Sequence, residues 1–167
     1  MTDQQLIHPD RLSEKGTVFE GTIVPGDLET LAEELASPGG ELRYRVTARL
    51  DNTRRRVVSC IIDGYVFLTC QSTFESFRHE VVINDRLVLV GSDAELPPFE
   101  EEGDSEDFVV ATAPIDVREL VEEAVILSLP MVPRKPGAEP AAEEDREKTG
   151  KPTPFAALAG LKQPKST

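Results

Sequence analysis

Apolar and polar positions alternate along this chain with enough regularity to predict most of its elements. In residues 41–51, Leu42, Tyr44, Val46, Ala48 and Leu50 fall on one side of an extended chain, and Arg43, Arg45, Thr47, Arg49 and Asp51 on the other. That period of two is the mark of a half-buried strand. Residues 16–24 read as an earlier strand, stopped by Pro25 and Gly26. Between the two, Leu28, Leu31, Ala32 and Leu35 recur at helical spacing behind Asp27, the expected N-cap, and residues 37–40, Ser-Pro-Gly-Gly, are expected to end that helix.

After a turn at Asn52 and Thr53 the chain enters residues 54–62, and the Asp63-Gly64 pair predicts a tight hairpin, because both central positions of such a turn need positive φ. That register places Cys60 opposite Phe67. It also puts Cys60 and Cys70 on opposite faces, as separate buried thiols. Both hairpin faces are apolar, which predicts cover on two sides by a second layer, a helix or a curved, barrel-like sheet. Residues 77–90 supply further strand, with Asn84 as the candidate break, and residues 107–111 one more short run.

The strongest helix spans residues 116–129. Asp116 and Glu119 suggest a capping box, Val117, Leu120, Val121, Ala124 and Leu127 form the expected buried stripe, and Pro130 ends it. Residues 133–152 combine proline, alanine and charge, the composition of a disordered linker, with a reach of roughly 25 Å if fully flexible. Then Thr153 and Pro154 open a short helical pattern in which Phe155, Leu158 and Leu161 line up. So short a helix is unstable alone and needs something to dock on. The expected class is α+β: an antiparallel, curved or partly barrel-like sheet of about five to six strands with two packed helices. The expected division is a domain at 1–132, a flexible acidic linker at 133–152 and a docking helix at 153–167.

Charge changes the picture more than composition does. The 167 residues carry a formal charge of −13, which opposes broad contact with nucleic acid, since phosphates are held chiefly by Lys and Arg. Residues 93–107 hold eight carboxylates and no basic side chain and read as a solvated acidic loop whose spacing matches no calcium loop. From Lys148 onward the sign reverses, with four lysines and no acid. One local basic cluster exists: Arg43, Arg45 and Arg49 on a strand's polar face, spaced about 7 Å per same-face step, joined by Arg54, Arg55 and Arg56. It reads either as a solvated, paired face or as a contact for RNA or an acidic partner.

Catalytic chemistry is sparse. The two histidines are His8 and His79, and His79 sits in a strand pattern that suits a half-buried residue. No nucleophile elbow, phosphate loop or zinc-protease helix occurs. No catalytic residue, cofactor or metal is expected, nor any small-molecule substrate. The apolar runs are too short for a membrane helix, and the first residues lack a secretory pattern, so the expectation is a cytoplasmic protein.

Three stretches together resemble the YceD family, the large ribosomal RNA subunit accumulation proteins of bacteria and plastids. They are Gly64 with Val66, Leu68 and Cys70; the helix through Leu120, Val121, Glu122 and Glu123 into Ile126, Leu127, Leu129, Pro130, Val132 and Pro133; and Lys151, Pro152, Thr153, Pro154, Phe155, Ala156, Leu158, Ala159, Leu161 and Lys162. Pro9, Arg11, Leu12, Gly16, Phe19 and Gly21 add a weaker N-terminal likeness. The resemblance implies a non-enzymatic factor for synthesis, processing or stability of 23S ribosomal RNA. Where many members have a C-x-x-C pair, this chain has Cys70, Gln71, Ser72 and Thr73, so zinc is not carried over. The acidic body and basic, apolar tail suggest docking to a ribosomal protein or assembly factor on large-subunit precursors, with Pro154, Phe155, Leu158 and Leu161 as anchors. Direct RNA binding through the arginines, and a generic adaptor role, are the alternatives.

Overall fold

A computed structural model describes residues 5–98 and 106–138. Its strands are β1 (Leu6–Ile7), β2 (Thr17–Ile23), β3 (Ser37–Leu50), β4 (Arg56–Thr69), β5 (Ser76–Val90), β6 (Asp107–Val110) and β7 (Ile115–Asp116), with α1 (Glu29–Glu34) after β2 and α2 (Val117–Ser128) after β7. The main sheet has the order β2-β3-β4-β5-β6, and β1 pairs with β7 in a separate ribbon. Strands β2 to β5 form an antiparallel meander, but β6 runs parallel to β5. The α+β class and the two helices agree with expectation. The antiparallel, barrel-like sheet does not: the sheet is mixed and open. Residues 91–106 connect β5 to β6, a length that permits a parallel crossover where a tight turn would force antiparallel pairing.

The expected hairpin at Asp63-Gly64 is absent, and β4 passes straight through it. Asp63 lies between Arg43 and Val82, and Gly64 between Leu42 and Val81. Gly64 has φ +154°, and a Cβ there would overlap the Glu41 carbonyl oxygen. The β3–β4 register shifts between Ser37 and Glu41. The glycine therefore serves a bulge where two backbones crowd together, rather than a turn. Cys60 and Cys70 consequently share one face, separated by about 33 Å of extended chain. Both are free and buried.

The two-sided cover expected for this region is also largely one-sided. Val58, Cys60, Ile62, Val66 and Leu68 are buried on the inner face, where α2 packs on β4 and β5. On the outer face Val57 is buried, but Ile61 is 45% exposed and Tyr65 and Phe67 are half-buried. Two strand limits move as well. β5 continues unbroken through Asn84, and β3 begins at Ser37, so the Ser-Pro-Gly-Gly run belongs to a strand. The Ala36 N–H donates to the Phe67 carbonyl at 2.8 Å and draws that run onto β4.

Asp27 does not cap α1. It closes a tight turn at Pro25–Asp27, one residue too early, and Leu28 occupies the cap position without a side-chain bond. The exposed helix N–H groups are satisfied from far along the chain: Glu122 Oε1 on α2 accepts from Thr30 N at 2.7 Å and Leu31 N at 2.9 Å. A carboxylate there also suits the positive end of the helix dipole. Arg118 Nη2 donates to the Asp27 carbonyl at 2.7 Å and fastens the same junction. Asp116 does cap α2, accepting from Arg118 N at 2.8 Å.

The segment Met1–Lys135 forms one compact unit. Residues placed by sequence at the start of the linker are tied to it. Gln71 N donates to the Pro133 carbonyl at 2.9 Å, and Lys135 N donates to Cys70 Sγ at 3.3 Å.

Candidate docking site

Of the stripe expected to be buried along α2, Val117 and Val121 are buried, and Val125, outside that expectation, joins them. Val117, Val121 and Val125, spaced at i, i+4 and i+8, are the positions fully inside the core. Leu120 and Ala124 are half-buried and Leu127 is 78% exposed. These last three wall a groove of about 610 Å³, whose opposite side is the inner face of β5 and β6 at Leu87, Leu89 and Val109. Cys60 lies at its floor. The groove exists because the valine stripe seats α2 over β4 and β5, while β6 extends the sheet beyond the helix.

Its rim is acidic. Asp85 and Asp107 come from the sheet and Glu119 and Glu123 from the helix, with Asp116 at one end, and among the described residues no Lys or Arg lines it. Asp107, the last residue of the acidic run of residues 93–107, belongs to this rim. Burial pushes the Cys60 thiol up to about 11, helped by the Asp85 carboxylate opposite it on β5. The groove went unforeseen because its residues merged with the core stripe. The signal was the width of that stripe, which exceeds what one helix seated on one neighbour needs. A larger, more polar cleft of about 850 Å³ lies between α1 and α2, but its central Glu122 and Arg118 are committed to holding that junction.

The arginine cluster lies where β3 and its turn put it, and much of it is paired. Arg43 bonds Asp63 across the β3–β4 pair, and Arg45 meets Glu20 on β2 at 2.9 Å. Arg55 bridges Asp51 at 2.8 Å and Glu106 at 3.1 Å, and Arg86 joins Glu106 at 2.9 Å. This network fixes the start of β6, and with it one groove wall, to the β3–β4 turn. Burial pushes the Asp51 carboxyl up, yet bonds from the Thr53 hydroxyl and from the backbone and side chain of Arg55 outweigh it and hold the group well below the usual carboxylate range. Arg56 reaches Asp10 only at 3.9 Å. Among the described residues Arg49 and Arg54 make no ion pair, and Arg54 stands in the turn at φ 62°. Pro154, Phe155, Leu158 and Leu161 lie outside the described residues.

Cys70 is enclosed at the far end of the inner face. The backbone N–H of Lys135, with the hydroxyl and N–H of Thr73, stabilises its thiolate and draws the thiol down to about 6. Its neighbours Gln71, Ser72 and Thr73 offer no second thiolate, and these residues do not fit a tetrahedral zinc site. Among the described residues no group of three or more His, Cys, Asp or Glu side chains is placed to hold a metal ion. His79 is half-buried, its ring edge-on to Phe77 at 6.5 Å. No helix of the described residues is long and apolar enough to cross a membrane.

The fold is thus an open mixed sheet with one helix seated on it and an apolar, acid-rimmed groove beside that helix. A family model for the large ribosomal RNA subunit accumulation protein YceD matches residues 58–162, well over half of the chain. The chain belongs to the YceD family. The match takes in β4 from Val58 onward, both sides of the groove and the C-terminal apolar motif, and leaves the N-terminal likeness around Pro9 to Gly21 outside it. No solved structure matches the chain.

Proposed function

We propose that this protein is a non-enzymatic ribosome biogenesis factor that supports accumulation of 23S ribosomal RNA through protein contacts on large-subunit precursors in the cytoplasm. Family membership carries the reading. The groove supplies the mode of action: an apolar floor under an acidic rim favours a basic protein over a polyanion. In this reading Pro154, Phe155, Leu158 and Leu161 anchor the C-terminal segment on the particle, and the acidic body steers the approach. Direct RNA contact through Arg43, Arg45, Arg49, Arg54, Arg55 and Arg56 stands second, because Arg43, Arg45 and Arg55 already face carboxylates.

Deletion should lower 23S relative to 16S RNA, and a sucrose gradient should place the protein on large-subunit precursors at moderate salt. Replacing Phe155, Leu158 and Leu161 with alanine should release it without unfolding the domain. Normal 23S levels after deletion would sink the proposal. Association lost on salt addition, and lost equally when Arg49 and Arg54 become alanine, would favour the arginine contact.

A further inference from the structure

We infer that the groove between α2 and β6 receives a cationic, amphipathic segment of a protein partner, its apolar side chains on Val109, Leu120 and Leu127 and its lysines or arginines on the surrounding carboxylates. The inference rests on the assembly-factor reading and names the ligand class of that site.

Charge complementarity selects the occupant. Asp85, Asp107, Glu119 and Glu123 ring the opening with no cation among the described lining residues, so an anionic ligand meets repulsion there. A second copy of this chain, at −13, is disfavoured for the same reason. Apolar surface at Leu127, 78% exposed, and Val109, 39% exposed, adds a contact that a merely basic chain leaves unused. At about 610 Å³ the groove falls within the range of about 300–1,000 Å³ found for formed binding sites. Its carboxylates are spread over the helix and the sheet, so a cationic segment lying lengthwise meets charge on both sides.

The test uses the purified full chain and a labelled peptide with leucines on one helical face and lysines on the other. A polylysine of equal length and a single-stranded RNA oligonucleotide serve as comparison probes. Saturable one-to-one binding of the leucine–lysine peptide is expected, about tenfold or more tighter than polylysine. Leu127→Glu and the double change Glu119→Lys, Glu123→Lys alter exposed positions, and each should weaken it by about tenfold or more with helicity unchanged. Hydrogen-exchange protection should fall on residues 107–127. Equal binding of polylysine, indifference to both variants, protection elsewhere, or protection of this groove by the RNA would each overturn the inference. So would binding that tightens about tenfold when Phe155, Leu158 and Leu161 become alanine, since the chain's own tail would then be the occupant. The titration contains no ribosomal particle, so its failure leaves the 23S reading standing. Normal 23S levels after deletion would instead defeat that reading with the groove still binding.

Discussion

Two stripes run along α2, one turn-face apart and made of similar residues, and they meet opposite fates. Val117, Val121 and Val125 are sealed against β4 and β5, whereas Leu120, Ala124 and Leu127 look into an open groove walled by β6. The first stripe does what hydrophobic periodicity is usually taken to mean: it removes apolar area from water and holds the helix down. The second leaves a leucine largely exposed beside a ring of carboxylates, which adds little to folding and is consistent with a surface reserved for a partner. The difference teaches that a helical apolar stripe can be the sum of two surfaces with different purposes.

The largest expected effect is on the strand beneath both stripes. Gly64→Ala introduces a Cβ against the Glu41 carbonyl at φ +154°. Strain and overlap together should cost about 4 kcal/mol, a large share of the roughly 5–15 kcal/mol that holds an ordinary domain folded. A variant that keeps wild-type thermal stability would contradict the close approach of Gly64 to the Glu41 carbonyl. The stripes themselves separate next. Val121→Ala should lower stability by about 2 kcal/mol, as the fully enclosed valine leaves a void. Leu127→Ala should stay within about 0.5 kcal/mol. Urea midpoints for the pair measure the contrast directly, and equal losses would mean that Leu127 belongs to the core. A third face of the same helix falls in between: Glu122→Ala should cost about 1–2 kcal/mol through the freed N–H groups of Thr30 and Leu31, with Glu122→Gln recovering part of it. Loss of amide protection confined to α1 would identify the cause.

These contrasts also mark what the chain disclosed about itself. Strand β2, most of β3, the presence of β5 but not its continuity through Asn84, and the cap and span of α2 are legible from local rules such as alternation, a capping aspartate and a terminal proline. Asp63-Gly64 misled because its chemistry is ambiguous: a glycine answers equally to a turn that needs positive φ and to a neighbouring backbone that needs space. The cap of α1 was invisible for a different reason. Its carboxylate is Glu122, on another helix, and no pattern near Asp27 points there. The groove was half legible, as an over-wide stripe, but its other wall required the parallel placement of β6, which the length of residues 91–106 permits and does not dictate. The exposed face formed by Arg43, Arg45 and Arg49 is legible from alternation. That Arg43 and Arg45 meet Asp63 and Glu20 is a matter of cross-strand register, settled only by pairing.

A pH dependence probes the two ends of the inner face separately. Cys70 ionises near 6 in the folded chain against an ordinary value of 9.0, so the folded state favours its thiolate. That contribution is complete above about pH 9, shrinks as pH falls and is gone once pH passes below 6. Cys60 behaves in the opposite sense: raised to about 11 from 9.0, it stabilises the fold below pH 9 and loses that contribution between 9 and 11. Urea midpoints should therefore rise from pH 6 to 9 in the wild type. Cys70→Ser should flatten that limb, and Cys60→Ala should flatten the decline above it. Because Cys60 lies on the groove floor facing Asp85, its thiolate absorbance also registers what fills the groove. A bound cationic segment partly neutralises the local field and should move the Cys60 midpoint downward, while the Cys70 midpoint, at the far end of β4, stays put. Equal movement of both midpoints would point to a general change in packing and remove the distinction between a sealed stripe and an open one.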